Sequence, residues 1–231
     1  DALIDQGAEV VLLPMVAIVD PTDGGAALAA AAARLGEYDR IVVTSPNGAR
    51  CLLDIAGNLP VADWPPVAAI GPATASPLQA AGVPVDLVPG EAVAESLLDA
   101  LPDPPGDGRR LLLVRAESAR EVLPAGLVAA GWDLEVVAAY RNVEPAVEGP
   151  VLAEARTAEA VTFTAASAVR RYHDLAGGPR PVDALCIGPV SGGLARNLGF
   201  RVAEANPHSV SGLVEAACRW ARSRGGFRRL S

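Results

Sequence analysis

The chain states one pattern twice, in the same order. The stretches 41–50 (IVVTSPNGAR), 69–75 (AIGPATA) and 80–89 (AAGVPVDLVP) are echoed by 161–170 (VTFTAASAVR), 186–191 (CIGPVS) and 197–202 (NLGFRV). Thr164 follows Thr44 by 120 residues, and Gly188 follows Gly71 by 117. A solenoid unit spans only about 20 to 50 residues, so a period this long is the size of a domain. The chain therefore reads as two related domains, and the crevice between two such domains is the first place to look for a ligand.

Short apolar runs alternate with Ala/Leu-rich amphipathic stretches. The runs are Val10 to Leu13, Ile41 to Val43, Val67 to Ile70, Val85 to Val88, Leu111 to Val114, Leu134 to Val137, Val161 to Phe163 and Ala184 to Ile187. Helical spacing falls near Ala26 to Arg34, Ala49 to Ile55, Thr74 to Ala81, Ala92 to Leu101, Ala119 to Ala130, Ser167 to Leu175, Gly192 to Leu198 and Val210 to Arg222. Continuous apolar strands between helices imply parallel sheets covered on both faces, an α/β class.

The second copy places Leu111 to Arg115 and a helix before Gly131 and the strand Leu134 to Val137; the first copy has six residues before Gly7 and the strand Val10 to Leu13. A front strand and most of a helix, roughly 15 residues, are accordingly expected to be missing. The Pro- and charge-bearing stretches Pro14 to Asp23 and Tyr140 to Pro150 occupy corresponding places in the two copies and are the linker candidates. Pro102 to Gly108 reads as a surface loop, and the five arginines between Arg219 and Ser231 as a solvated terminus.

Composition removes whole classes of chemistry. All 19 basic residues are arginine, which excludes lysine Schiff bases, pyridoxal phosphate attachment and a Walker phosphate loop. The three cysteines have no C-x-x-C spacing, and the two histidines, His173 and His208, have no ligand-like neighbours. No metal site is expected, and the cysteine usage fits a reducing cytoplasm. A net charge of −8 argues against wholesale nucleic-acid binding, and no apolar run approaches the length of a membrane span.

What recurs is a strand ending in a small polar turn that opens a helix: 44–48 (TSPNG), 71–74 (GPAT), 164–167 (TAAS) and 188–191 (GPVS). Ser, Thr and Asn in such turns can cap the helix, while free N–H groups and the positive dipole end face outward. These groups bind carboxylates without lysine, and in open parallel sheets such turns lie at the C-terminal strand edge, where ligands dock. Arg115, just past a strand end, can pair with a carboxylate bidentately or form a structural ion pair.

The order of these turns, with 163–168 (FTAASA), the two Gly-Pro boxes, 111–115 (LLLVR) and 135–141 (EVVAAYR), resembles the uroporphyrinogen-III synthase family from Gly7 to about Trp220. The resemblance implies two flavodoxin-like parallel-sheet domains joined by a two-stranded linker. One would comprise residues 1–16 plus 143–231 and the other 24–139, with 17–23 and 140–142 as linker strands. It departs from the family pattern at Ala165 and Ala166, where Ser-Pro is usual, and at Val190, where a second Thr often sits.

The resemblance further implies conversion of hydroxymethylbilane, a linear tetrapyrrole, to uroporphyrinogen III, with loss of water, inversion of the last ring and closure of the macrocycle, in the cleft between the domains and without a cofactor. Tyr140 matches the family tyrosine that assists departure of the hydroxyl. Ser45, Asn47, Gly71, Thr74, Arg115, Thr164, Ser167, Gly188 and Ser191 are the implied carboxylate-binding positions. The partner is then the bilane, with no nucleic acid and no membrane, for a monomer in the cytoplasm. Two other readings stay open at this point: a non-catalytic binding or regulatory module on the same fold, once fused to a DNA-binding domain, and a generic sugar- or nucleotide-binding protein, whose nucleotide version the lack of G-x-G-x-x-G disfavours.

Overall fold

The computed structural model describes residues 2–56, 59–104, 106 and 109–226. They form two compact units, one of residues 18–143 and one of residues 1–17 with 144–231, each with its own sheet.

The central unit, 18–143, is built on β1 (Ala17–Val19, at the division between the units), β2 (Arg40–Val43), β3 (Val67–Ala69), β4 (Val85–Leu87), β5 (Arg110–Ala116) and β6 (Asp133–Val143). They are ordered β1-β6-β5-β2-β3-β4 across the sheet. The ladders β2–β3, β2–β5, β3–β4 and β5–β6 are parallel. Strands β2 and β3 are buried along their whole length because helices cover both faces.

On one face α1 (Ala26–Ala32), α2 (Pro46–Ala56) and α3 (Pro72–Ala80) bring Leu28, Leu52 and Leu78 against Ile41, Val43, Leu112 and Val114. On the other, α4 (Ala94–Ala100) and α5 (Val122–Ala129) bring Leu97, Leu123 and Leu127 against Val42, Leu111 and Leu113. Each fully buried Leu or Ile contributes about 1.5–3 kcal/mol of transfer free energy, so alternate residues of the central strands secure opposite helix layers.

The terminal unit carries a parallel sheet of β7 (Val161–Phe163), β8 (Asp183–Cys186) and β9 (Arg201–Glu204). Helices α6 (Gly149–Thr157), α7 (Ala166–Ala176) and α8 (Pro189–Asn197) cover one face through Ala155, Val169, Tyr172 and Ala195, where Phe163 meets Tyr172 and Phe200 edge-on at 5.7 Å. Helix α9 (Val210–Arg222) covers the other through Leu213 and Ala217. Arg171 of α7 donates to the carbonyls of Met15 and Pro145 and so ties the two segments of this discontinuous unit together.

The structure corrects the sequence reading in four places. Val10 to Leu13 forms no ladder; Val11 and Leu13 only pack against the α7 side of the core, and no strand among the described residues stands beside them as β5 stands beside β6. Strand β6 is longer than its apolar run Leu134 to Val137 and continues through Tyr140 to Val143. Helix α6 and strand β9 were not anticipated. Helix α6 has one buried residue, and β9 alternates exposed with half-buried positions, so neither shows the continuous apolar run by which the other elements are read.

Candidate functional site

The connections of the central sheet define where a ligand would dock. From β2 the chain turns onto the α1 face through α2 and proceeds to β3; from β5 it turns onto the opposite face through α5 and proceeds to β6. The two connections diverge at the C-terminal ends of β2 and β5, a topological switch point of the kind that leaves a crevice in open α/β sheets.

The β2 side of that crevice is the Thr44 turn. Thr44 donates its N–H to the Val114 carbonyl at 3.2 Å and its hydroxyl to the same oxygen at 3.4 Å. The half-buried Ser45 accepts from the Gly48 N–H at 2.9 Å and caps α2, and the Asn47 carbonyl oxygen accepts from Arg50 at 3.2 Å. Ser45 and Asn47 therefore sit together at the switch point.

Gly71 and Thr74 open α3 at the end of the neighbouring β3. A Cβ on Gly71 would stand 2.8 Å from that of Ala92, so only glycine lets the chain pass. Thr74 is buried, 2% exposed, in the first turn of α3. Ser191, at the same position of α8, is 3% exposed and donates to the Gly188 carbonyl at 3.0 Å. Both box hydroxyl residues, implied by the resemblance to bind carboxylates, are therefore buried residues of a first helical turn.

In the terminal unit, the turn after β7 leaves Thr164 and Ser167 exposed. It opens α7 with Ala165 at the cap position and no side-chain cap, as Gly188 opens α8. The Ile187 N–H donates to the Phe163 carbonyl at 2.9 Å, which brings the Thr164 and Gly188 turns side by side. Of the four turns expected to cap their helices with side chains, only that of Ser45 does so.

Arg115 and Tyr140 do not share a face. Arg115 alternates with Leu111 and Leu113 on the α5 side, is 12% exposed in its side chain, and pairs with Glu121 at 2.6 Å. A ligand carboxylate would have to displace Glu121. Tyr140 belongs to the α1–α2 core, with 7% of its surface exposed, and its phenol oxygen has no hydrogen-bond partner among the described residues.

A third group of residues was missed. Glu117, just beyond β5, accepts from the Thr22 N–H at 2.8 Å and the Thr22 hydroxyl at 3.1 Å, and its own N–H donates to the Tyr140 carbonyl at 2.8 Å. Arg141 donates from Nε to the Asp20 carbonyl at 3.0 Å. Asp23 accepts from the Gly25 and Ala27 N–H groups at 2.9 and 2.8 Å, bonds that hold its carboxyl below the usual carboxylate range. Glu117 gives no signal in sequence, since an exposed glutamate in a loop whose partner lies 95 residues away belongs to no local pattern.

Comparison with known proteins agrees with this architecture. The chain is 30% identical over 233 residues to a uroporphyrinogen-III synthase of Synechococcus elongatus, covering 94% of this chain and 88% of that one. It is similar in fold to uroporphyrinogen-III synthetase from Helicobacter pylori, with a TM-score of 0.63, 18% identity and coverage of 90% and 92% of the two chains. It also resembles a mutant uroporphyrinogen III synthase from Thermus thermophilus, with a TM-score of 0.60, 23% identity and coverage of 97% and 93%. A mixed α/β fold dominated by parallel sheet is common to all three structures. The model of the uroporphyrinogen-III synthase HemD family matches residues 1–215, and the chain belongs to that family.

Proposed function

We propose that the protein is a uroporphyrinogen-III synthase, a cyclising lyase of tetrapyrrole biosynthesis that acts on hydroxymethylbilane. The observation that carries this reading is the family match over residues 1–215. A purely regulatory module is not favoured, because the relatives that cover most of the chain are synthases. Among the described residues, no helix is long and apolar enough to cross a membrane. The finer reading takes the units as two flavodoxin-like domains, 1–16 plus 143–231 and 24–139, with linker strands at 17–23 and 140–142. It takes the protein as a cytoplasmic monomer that binds no nucleic acid.

The chemistry asks little of the protein beyond shape. An electron-rich pyrrole can itself expel the hydroxyl, so the enzyme need only assist the leaving group and hold a flexible chain in the curvature that favours the inverted product. In this reading the Tyr140 phenol, a neutral donor whose oxygen has no hydrogen-bond partner among the described residues, protonates the departing hydroxyl, which leaves as water. Ser45, Asn47, Thr164 and Ser167, with the N–H groups behind Gly71 and Gly188, grip substrate carboxylates; Thr74 and Ser191 shape those first turns from inside. Arg115 joins them only by exchanging Glu121 for a substrate carboxylate.

The test is turnover of freshly generated hydroxymethylbilane. The III isomer is expected, and Tyr140→Phe should lower the rate at least about tenfold while leaving the fold intact. Product dominated by the I isomer at every protein concentration overturns the enzymatic reading.

A further inference from the structure

The ladder between β5 and β6 is regular from Arg110↔Asp133 to Arg115↔Ala138 and then skips a residue, so that Ala116 stands opposite Tyr140 and not Ala139. Before the skip, residues of β6 alternate: Val137 and Ala139 face the α1–α2 core, and Leu134 faces α5. Continued without interruption, that alternation would send Tyr140 to the α5 face with Leu134. The extra residue resets the phase, and Tyr140 joins Ala139 and Val137 on the α1–α2 side.

The bulge is fastened from above. Because β6 lies between β5 and β1, a group at the end of β5 must span two strand spacings, about 10 Å, to reach the loop that follows β1. Glu117 does so: its N–H closes on the Tyr140 carbonyl, and its carboxylate reaches past that strand to the Thr22 N–H and hydroxyl. Arg141, the next residue of β6, binds the Asp20 carbonyl of the same loop, and Asp23 fixes the loop onto the start of α1. Bulges recur next to active sites, where they re-aim a side chain.

We infer that Glu117 is the positioning residue for Tyr140: by bridging the Tyr140 backbone to Thr22, it holds the β6 bulge that turns the phenol onto the α1–α2 face. The inference rests on the reading of Tyr140 as the catalytic donor, and the experiment separates the two. The chain has three tyrosines, Tyr38, Tyr140 and Tyr172. Uniform labelling with meta-fluorotyrosine therefore gives a simple fluorine NMR spectrum in which Tyr140→Phe identifies the Tyr140 signal. In full-length Glu117→Ala, that signal should shift or broaden while those of Tyr38 and Tyr172 stay, and kcat should fall roughly tenfold with KM within about twofold.

Glu117→Gln keeps one acceptor for the Thr22 N–H and should restore most of both readouts. In the Tyr140→Phe background, Glu117→Ala should cost little more, because the group it orients is gone. An unmoved Tyr140 signal in folded Glu117→Ala overturns the positioning role. A moved signal with turnover unchanged in both Glu117→Ala and Tyr140→Phe sustains the positioning role and overturns the catalytic reading of Tyr140.

Discussion

The Tyr38 hydroxyl donates to the Glu135 carboxylate at 2.7 Å, at the edge of the central sheet where β6 begins. Arg34 and Arg110 lie over the Tyr38 ring at 5.8 and 5.0 Å, and both also contact Glu135, at 2.8 and 3.4 Å. Burial first, and then the Glu135 bond, push the Tyr38 phenol from its ordinary 10.0 up to about 12.

A raised acid pKa means that the folded state favours the protonated phenol. Its contribution is complete below the unfolded value near 10 and is lost as pH climbs toward 12. Tyr38→Phe should destabilise the protein by about 1 kcal/mol at neutral pH, a modest figure because the arginines still satisfy Glu135. It should also flatten the alkaline decline. Urea unfolding at pH 7 and across pH 10 to 12 checks both, and an equally steep decline in the Phe variant would assign the alkaline loss elsewhere.

At the start of β8, Asp183 is 5% exposed and accepts from the Arg201 Nε, from the Trp220 indole at 3.1 Å and from Arg224 at 2.6 Å. The Arg201 bond is the principal reason that its carboxyl lies below the usual range. A lowered pKa contributes stability that is present above the unfolded value near 3.8 and is lost as pH falls through the folded value. Because the arginines are half exposed and screened, Asp183→Asn should cost about 2 kcal/mol and not the full penalty of a broken buried pair. The variant should also lose part of the acid-induced decline, followed by Trp220 fluorescence as α9 detaches. A full-sized acid transition in the Asn variant would show that other carboxylates govern it.

The two Gly-Pro boxes read alike but should not mutate alike. Both glycines are extended, with φ of −174° at Gly71 and −172° at Gly188, so neither needs glycine for its backbone angle. The space around them differs: an added methyl meets the Ala92 Cβ at 2.8 Å at Gly71, but only the His208 ring at 3.6 Å at Gly188. Gly71→Ala should therefore destabilise by about 1–3 kcal/mol through overpacking, and Gly188→Ala by less than about 0.5 kcal/mol. Thermal melting of the two variants decides the matter, and equal losses would refute the packing argument.

The residues that reveal this fold to a reader of the sequence are those whose role is local. Ile41, Val42 and Val43, or Leu111 to Val114, are buried on both sides, so their apolar runs announce central parallel strands wherever they fall in the chain. The Thr44, Gly71, Thr164 and Gly188 turns are legible for the same reason, since a helix start is written within four residues. The doubled order of these signals carried the family likeness. Tertiary structure alone decided which of the rim groups are available. It enclosed Thr74 and Ser191, paired Arg115 with Glu121 on the far face from Tyr140, and left Val10 to Leu13 without a ladder partner among the described residues. It also turned Tyr140 by a one-residue slip against Ala116 and set Glu117 across it to reach Thr22. Strand phase has a period of two, so one skipped residue exchanges the faces, and a bond between groups 95 residues apart exists only after the sheet has brought them together.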